Sequence, residues 1–178
     1  MHRLFVGIRP PAPIRAALLR LMSGIQGARW QRDDQLHVTL RFIGEVDRHQ
    51  GRDVADALAA IRFPPLTLAI EGVGMFDSRG RPNAVWAGIR PQDEIARLHR
   101  KVDQAVMRCG LPAEARAYLP HITLARLSGG AGTPDAFLAT HAGLASPRFT
   151  IDEFLLFESH MGSEGASYEA VERYALAV

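Results

Sequence analysis

Two short segments of the chain, His37-Val38-Thr39-Leu40 and His121-Ile122-Thr123-Leu124, each set an imidazole and a hydroxyl two positions apart. In an extended strand, residues i and i+2 project from one face. Each segment therefore presents a histidine and a threonine side by side, while Val38, Leu40, Ile122 and Leu124 turn the other way, toward a core. An imidazole with an unperturbed pKa of about 6.5 can both donate and accept a proton near neutrality. Two of them flanking one atom suit a displacement that needs a base on one side and an acid on the other. Phosphoryl transfer makes that demand, because its attacking and leaving oxygens lie roughly in line through phosphorus. Threonine hydroxyls beside the imidazoles are donors for the nonbridging oxygens, where charge builds up. Metal ligation is the rival use of two histidines. No carboxylate or third histidine stands at ligand spacing near either segment, so neither a metal nor a cofactor is expected. One histidine in a strand is most often a packing residue, but retention of the same polar pair twice is hard to attribute to packing.

The elements that must carry these segments also repeat. Phe5-Val6-Gly7-Ile8-Arg9-Pro10 and Trp86-Ala87-Gly88-Ile89-Arg90-Pro91 share an aromatic followed by Gly-Ile-Arg-Pro. Each precedes a stretch with apolar residues at helical spacing, over residues 12–25 and 92–109. Gly7 stands 30 residues before His37 and Gly88 stands 33 before His121. Each motif lies in a strand, 37–43 in the first case, and is followed by a helical stretch (47–61; 134–142) and a long strand (65–76; 148–158). Two matches in the same order at nearly the same interval indicate an internal duplication, roughly 3–83 and 84–178. The expected fold is α+β: a single bilobal domain of two pseudo-twofold related sheet-and-helix lobes around a central cleft. In that cleft the two histidine-threonine pairs oppose one another.

Composition agrees with one such domain. The chain has 178 residues, 47% apolar and 22% charged, enough to bury roughly 70% of the surface exposed on unfolding. The lone Cys109 allows no internal disulfide and no multi-cysteine zinc module, which fits a reducing cytoplasm. The longest stretch without Asp, Glu, Lys or Arg, from Ala136 to Pro147, has twelve residues, against roughly 18 for a membrane span. The apolar start, residues 4–8, is too short for a signal peptide, so a cytoplasmic protein without membrane contact is expected. Lys101 is the only lysine among 21 basic residues. Arginine offers a planar fork of donors suited to phosphate, and the net charge of +2 permits a polyanionic substrate without demanding one. Arg126 follows the second motif, and Arg41 shares the strand parity of His37 and Thr39, so both are candidates for phosphate contact. Phe5, Tyr118 and Trp86 are candidates to stack on a base. His2, His49, His99, His141 and His160 have no repeat partner and read as surface or structural residues.

The chain resembles the two-histidine (2H) phosphoesterases, defined by two His-x-Thr-x motifs, and more closely the bacterial and archaeal RNA 2′,3′-cyclic phosphodiesterases, also called 2′-5′ RNA ligases. The likeness runs from Arg3-Leu4-Phe5-Val6-Gly7-Ile8 through His37-Val38-Thr39-Leu40-Arg41-Phe42-Ile43-Gly44-Glu45-Val46. It continues in Glu114, Arg116, Tyr118 and Pro120-His121-Ile122-Thr123-Leu124-Ala125-Arg126, and in Ser167-Tyr168-Glu169-Ala170-Val171. The resemblance implies metal-free hydrolysis of a 2′,3′-cyclic phosphate at an RNA end to a 2′-phosphomonoester. It implies His37 as proton donor, His121 as proton acceptor, and Thr39 and Thr123 as phosphate contacts. The partner so implied is an RNA with a 2′,3′-cyclic phosphate end or a related cyclic nucleotide, acted on by a monomer. Related readings are a phosphodiesterase or reversible ligase acting on small cyclic nucleotides or 2′-5′ linked oligonucleotides, and a non-catalytic module that binds RNA ends.

Overall fold

The two repeated motifs meet at the centre of one sheet. The computed structural model describes residues 1–178. The first repeat runs β1 (His2–Ile8), α1 (Ala12–Leu19), β2 (Arg29–Trp30), a short 3-10 turn at Asp33–Gln35, β3 (Val38–Val46), α2 (Arg48–Ala59) and β4 (Leu66–Ser78). The second runs β5 (Arg81–Arg90), α3 (Gln92–Arg108), β6 (His121–Arg126), α4 (Asp135–Thr140), β7 (Phe149–Ile151), β8 (Glu153–Gly162) and β9 (Gly165–Ala175). The strands form a nine-stranded sheet in the order β7-β4-β5-β6-β3-β1-β8-β9, with β2 added to β6. All the pairings are antiparallel.

The α+β fold with two pseudo-twofold lobes is as expected, but neither lobe is a repeat. β1, which pairs with β3 inside the first repeat, takes β8 of the second on its other side, whereas β5, which pairs with β6 inside the second, takes β4 of the first. Each repeat thus lends its long strand to the other lobe. The halves cannot separate without breaking ladders on both sides.

Helices cover one face of the sheet. A single core of 34 buried residues takes Ile14 and Leu18 from α1, Val54 and Leu58 from α2, Ile95, Leu98 and Val102 from α3, and Phe137 from α4. α3 has the strongest amphipathic pattern and the best-placed ends, with Asp93 and Glu94 in its first turn and Arg108 in its last. The opposite face carries a small cluster of Phe5, Leu155 and Phe157 and is otherwise free of helices.

Several boundaries differ from the periodic reading. α1 stops at Leu19 rather than near residue 25, because Leu21 and Met22 turn back on Leu18 and Leu19 through tight i to i−3 bonds of 3.1 and 3.2 Å. Both side chains still pack against the core, so apolar spacing is satisfied without a helix. The long strand near residues 148–158 divides at Asp152 into β7, which pairs β4, and β8, which pairs β1. The turn after β4 is a tight one. Ser78 pairs with Arg81, and Arg79 and Gly80 both take positive φ (54° and 76°), the two-residue hairpin that matches strand twist.

Candidate active site

Val38 of β3 faces Ile122 of β6 where the two strands touch. That single contact pair lies between His37 and Thr39 on one strand and between His121 and Thr123 on the other, so the two motifs flank the point where the strands meet. All four side chains lie on the helix-free face, because Val38, Leu40, Ile122 and Leu124 fill the core on the other. The sheet therefore brings together the two motifs the sequence singled out.

Both imidazoles are held by the same device. His37 Nδ1 lies 2.7 Å from the Gln35 carbonyl and His121 Nδ1 lies 2.7 Å from the Leu119 carbonyl, each two residues back. A carbonyl only accepts, so Nδ1 carries the proton in each ring and Nε2 presents a lone pair to the open face. The two settings differ beyond that. His37 Nε2 is 3.0 Å from the Thr39 hydroxyl, and its ring is packed by Phe5 at 4.9 Å, Tyr168 at 5.1 Å and Phe157 at 6.1 Å. His121 meets Phe76 edge-on at 4.8 Å and Trp86 at 6.1 Å. The glycine of each Gly-Ile-Arg-Pro segment lets the strands close. A Cβ on Gly7 would stand 2.9 Å from the Val38 carbonyl oxygen, and one on Gly88 would stand 2.4 Å from that of Glu71.

Burial makes both imidazoles hard to protonate. His37 is pushed down to about 4, chiefly by loss of solvent; its carbonyl partner opposes the shift, and His121, Arg126 and Arg9 add like-charge repulsion. His121 is lowered by burial and by Arg126, with the Leu119 carbonyl opposing. Arg126 acts on both rings, so its charge lies beside the pair.

Arg41 does not join it. Strict alternation from His37 would aim Arg41 at the open face, but Gly7 pairs with Thr39 while Val6 pairs with Arg41, so β3 holds an extra residue, Leu40. This bulge turns Leu40 and Arg41 toward the helices and brings Phe42, 58% exposed, to the other side. There Arg41 is buried against Asp103 of α3 at 2.6 Å and donates to the Phe42 and Pro112 carbonyls. The same slip in β6, where Trp86 pairs with Thr123 and Val85 with Ala125, moves Arg126 to the open face. Tyr118 is likewise turned away. Its hydroxyl donates to the Thr39 carbonyl at 2.9 Å and its ring stacks 4.1 Å from His99, whose Nδ1–H donates to the Leu40 carbonyl at 2.6 Å. Together with Arg41 these groups clamp the bulge from behind. Phe5 is buried beneath His37, so of the three aromatics considered for stacking only Trp86 lines open space. A cavity of about 470 Å³ begins there and extends past Gly88, Arg90 and Pro120. Phe76 and Phe157 escaped the sequence reading, although they occupy corresponding long strands, β4 and β8.

Comparison with known proteins follows the same outline. The model of the LigT-like phosphoesterase family matches residues 8–86 and again 89–168. An RNA 2′,3′-cyclic phosphodiesterase of Escherichia coli strain K12 is 29% identical over 98% of this chain and 97% of its own. One from Geobacillus stearothermophilus is 30% identical over 86% of this chain, which spans about half (49%) of that relative's length. The crystal structure of E. coli LigT in apo form superposes with a TM-score of 0.80 at 28% identity, covering 99% of this chain and 98% of that one. The same protein complexed with 3′-AMP gives 0.78 at 26%, covering 99% of both.

Proposed function

The chain belongs to the LigT-like phosphoesterases, and from that premise we propose that it hydrolyses the 2′,3′-cyclic phosphodiester at an RNA end to a 2′-phosphomonoester without a metal ion, with His37 and His121 as its acid and base. The observation that carries the reading is the matched pair of imidazoles on one open face, each fixed through Nδ1, with Nε2 of His37 beside the Thr39 hydroxyl and Nε2 of His121 without a protein partner. His121 Nε2 takes a proton from water as the water oxygen attacks phosphorus. The bond from phosphorus to O3′ breaks, and His37 passes its proton to that oxygen, leaving phosphate on O2′. Thr39, Thr123 and Arg126 hold the nonbridging oxygens, where negative charge accumulates. His37 is neutral in the free protein, with its pKa near 4. It becomes an acid once the anionic phosphate sits against it, since an opposite charge at close range favours the protonated form.

The relatives' names and the 3′-AMP complex of E. coli LigT support a nucleotide substrate. No helix is long and apolar enough to cross a membrane. The deciding experiment is product analysis after incubation with an RNA ending in a 2′,3′-cyclic phosphate, with and without a strong chelator. The expected product is the 2′-phosphate in both cases. A 3′-phosphate would reverse the substrate in the cleft, loss of activity with chelator and return with a divalent ion would end the metal-free mechanism, and tight binding without turnover would leave an RNA-end binding module.

A further inference from the structure

Arg29 stands directly opposite Arg126 where β2 pairs with β6. Directly opposed residues of an antiparallel pair share a face, so Arg29 projects on the open side beside the arginine that lowers both histidines. Like charges in this relation are destabilising, and folding alone gives no reason to choose them. Both residues are exposed, and neither makes an ion pair or donates a side-chain hydrogen bond, whereas Arg15, Arg32, Arg41, Arg90 and Arg173 all have carboxylate partners within 4.0 Å.

The strand that presents Arg29 is firmly held. Trp30 pairs with Ala125 and packs its ring 5.4 Å from Phe137, and the Gln31 N–H donates to the Leu124 carbonyl at 2.8 Å. A cavity of about 210 Å³ opens at this point, lined by Gly27, Arg29, Arg126, Leu127 and Ser128. Nothing in the other half corresponds to it. β3 has no added strand where β6 has β2, and the position matching Arg126 is Phe42, since both follow the bulged residue by two.

We propose that Arg29 and the cavity beside Arg126 form a second anion subsite, which receives the phosphodiester one nucleotide upstream of the cyclic phosphate and selects oligonucleotides over mononucleotides. The proposal rests on the hydrolytic reading only for what occupies the neighbouring site. Arg126 faces the reacting phosphate, and Arg29, on the adjoining strand, meets the next one along the chain. A guanidinium fork suits the two free oxygens of a phosphodiester, and a terminal mononucleotide has no such group to offer.

The test compares a nucleoside 2′,3′-cyclic phosphate with the corresponding dinucleotide ending in the same cyclic phosphate. Arg29→Ala is expected to lower kcat/KM for the dinucleotide about tenfold more than for the mononucleotide, mainly through KM, with Arg29→Lys recovering part of the loss. The unfolding temperature should hold or rise as the like-charge contact is relieved. Binding of an unreactive oligonucleotide with a 3′-phosphate end, followed by fluorescence anisotropy, should weaken in Arg29→Ala and show a shallower salt dependence. Equal loss on both substrates, or no loss on either, overturns the subsite. If wild-type protein cleaves neither substrate yet Arg29→Ala still weakens the oligonucleotide, the hydrolytic reading fails and the subsite stands. If wild-type cleaves both equally and anisotropy is unaffected by Arg29→Ala, the subsite fails and hydrolysis stands.

Discussion

The two histidine stations use one local device in two different surroundings. Each ring is anchored by a carbonyl two residues back and flanked by aromatics from corresponding strands, Phe5 and Phe157 at one, Trp86 and Phe76 at the other. Behind the first lies a polar clamp of Tyr118, His99, Arg41 and Asp103 tied to the carbonyls of Thr39, Leu40 and Phe42. Behind the second the corresponding positions, Leu124 and Ala125, are apolar and fully buried. Duplication preserved the anchored imidazole and the hydroxyl two residues after it. Divergence fell on what surrounds them: His37 is the more enclosed ring, and two unpaired arginines, Arg29 and Arg126, stand opposite one another where β2 meets β6. One half thus encloses its imidazole, and the other sets free positive charge beside its own.

Replacing the rings themselves should break the equivalence most severely. His37→Ala and His121→Ala are each expected to lose about 10³ in kcat on the cyclic phosphate. On an ester whose leaving oxygen is already a stable anion, such as a nitrophenolate, His37→Ala should recover much of its rate and His121→Ala should not, because water still needs its base. Rescue of His121→Ala instead would exchange the two roles.

The hydroxyls come next. Thr39→Val and Thr123→Val should each cost on the order of 10² in kcat, read in steady-state kinetics on the same substrate. Wild-type rates in both would show that the hydroxyls serve the fold alone.

A tenfold effect should separate the arginines the bulges sorted. Arg126→Ala is expected to raise KM about tenfold with little change in unfolding free energy. Arg41→Ala should instead destabilise by about 3 kcal/mol in urea unfolding, since it strands Asp103 in a mostly buried setting, with KM within a factor of about two. A KM defect from Arg41→Ala without loss of stability would return that residue to the site.

The smallest effect is a displacement along the pH axis. Both imidazoles are lowered in the free protein, so the protonated member of the pair is lost below the usual histidine range, and kcat/KM should fall as pH rises toward about 6.5. Bound phosphate raises both, so the bell in kcat should lie at higher pH; coincident bells would deny contact between substrate and pair. The same depression acts on folding. The unfolded chain binds the proton more readily, so stability present above the ordinary imidazole pKa should decline as pH falls toward about 4.

How much of this was legible beforehand follows from the range over which each feature is encoded. The shared face of His37 and Thr39, and of His121 and Thr123, depends only on two-residue alternation with no bulge inside the motif, so sequence alone determined it. Repetition of Gly-Ile-Arg-Pro and His-x-Thr-Leu likewise disclosed the duplication and the order of helices and strands. Pairing between strands far apart in the chain was not written locally. Whether β8 joins β1, whether β2 adds to β6, and where Leu40 and Leu124 bulge depend on which backbones meet. Those bulges turned Arg41, which alternation had placed on the open face, toward the helices, and brought Arg126 onto the open face. The depression of His37 belongs to the tertiary structure for the same reason: it sums the burial by Phe5, Phe157 and Tyr168 with charges on Arg9, His121 and Arg126, groups that only the closed sheet brings within range.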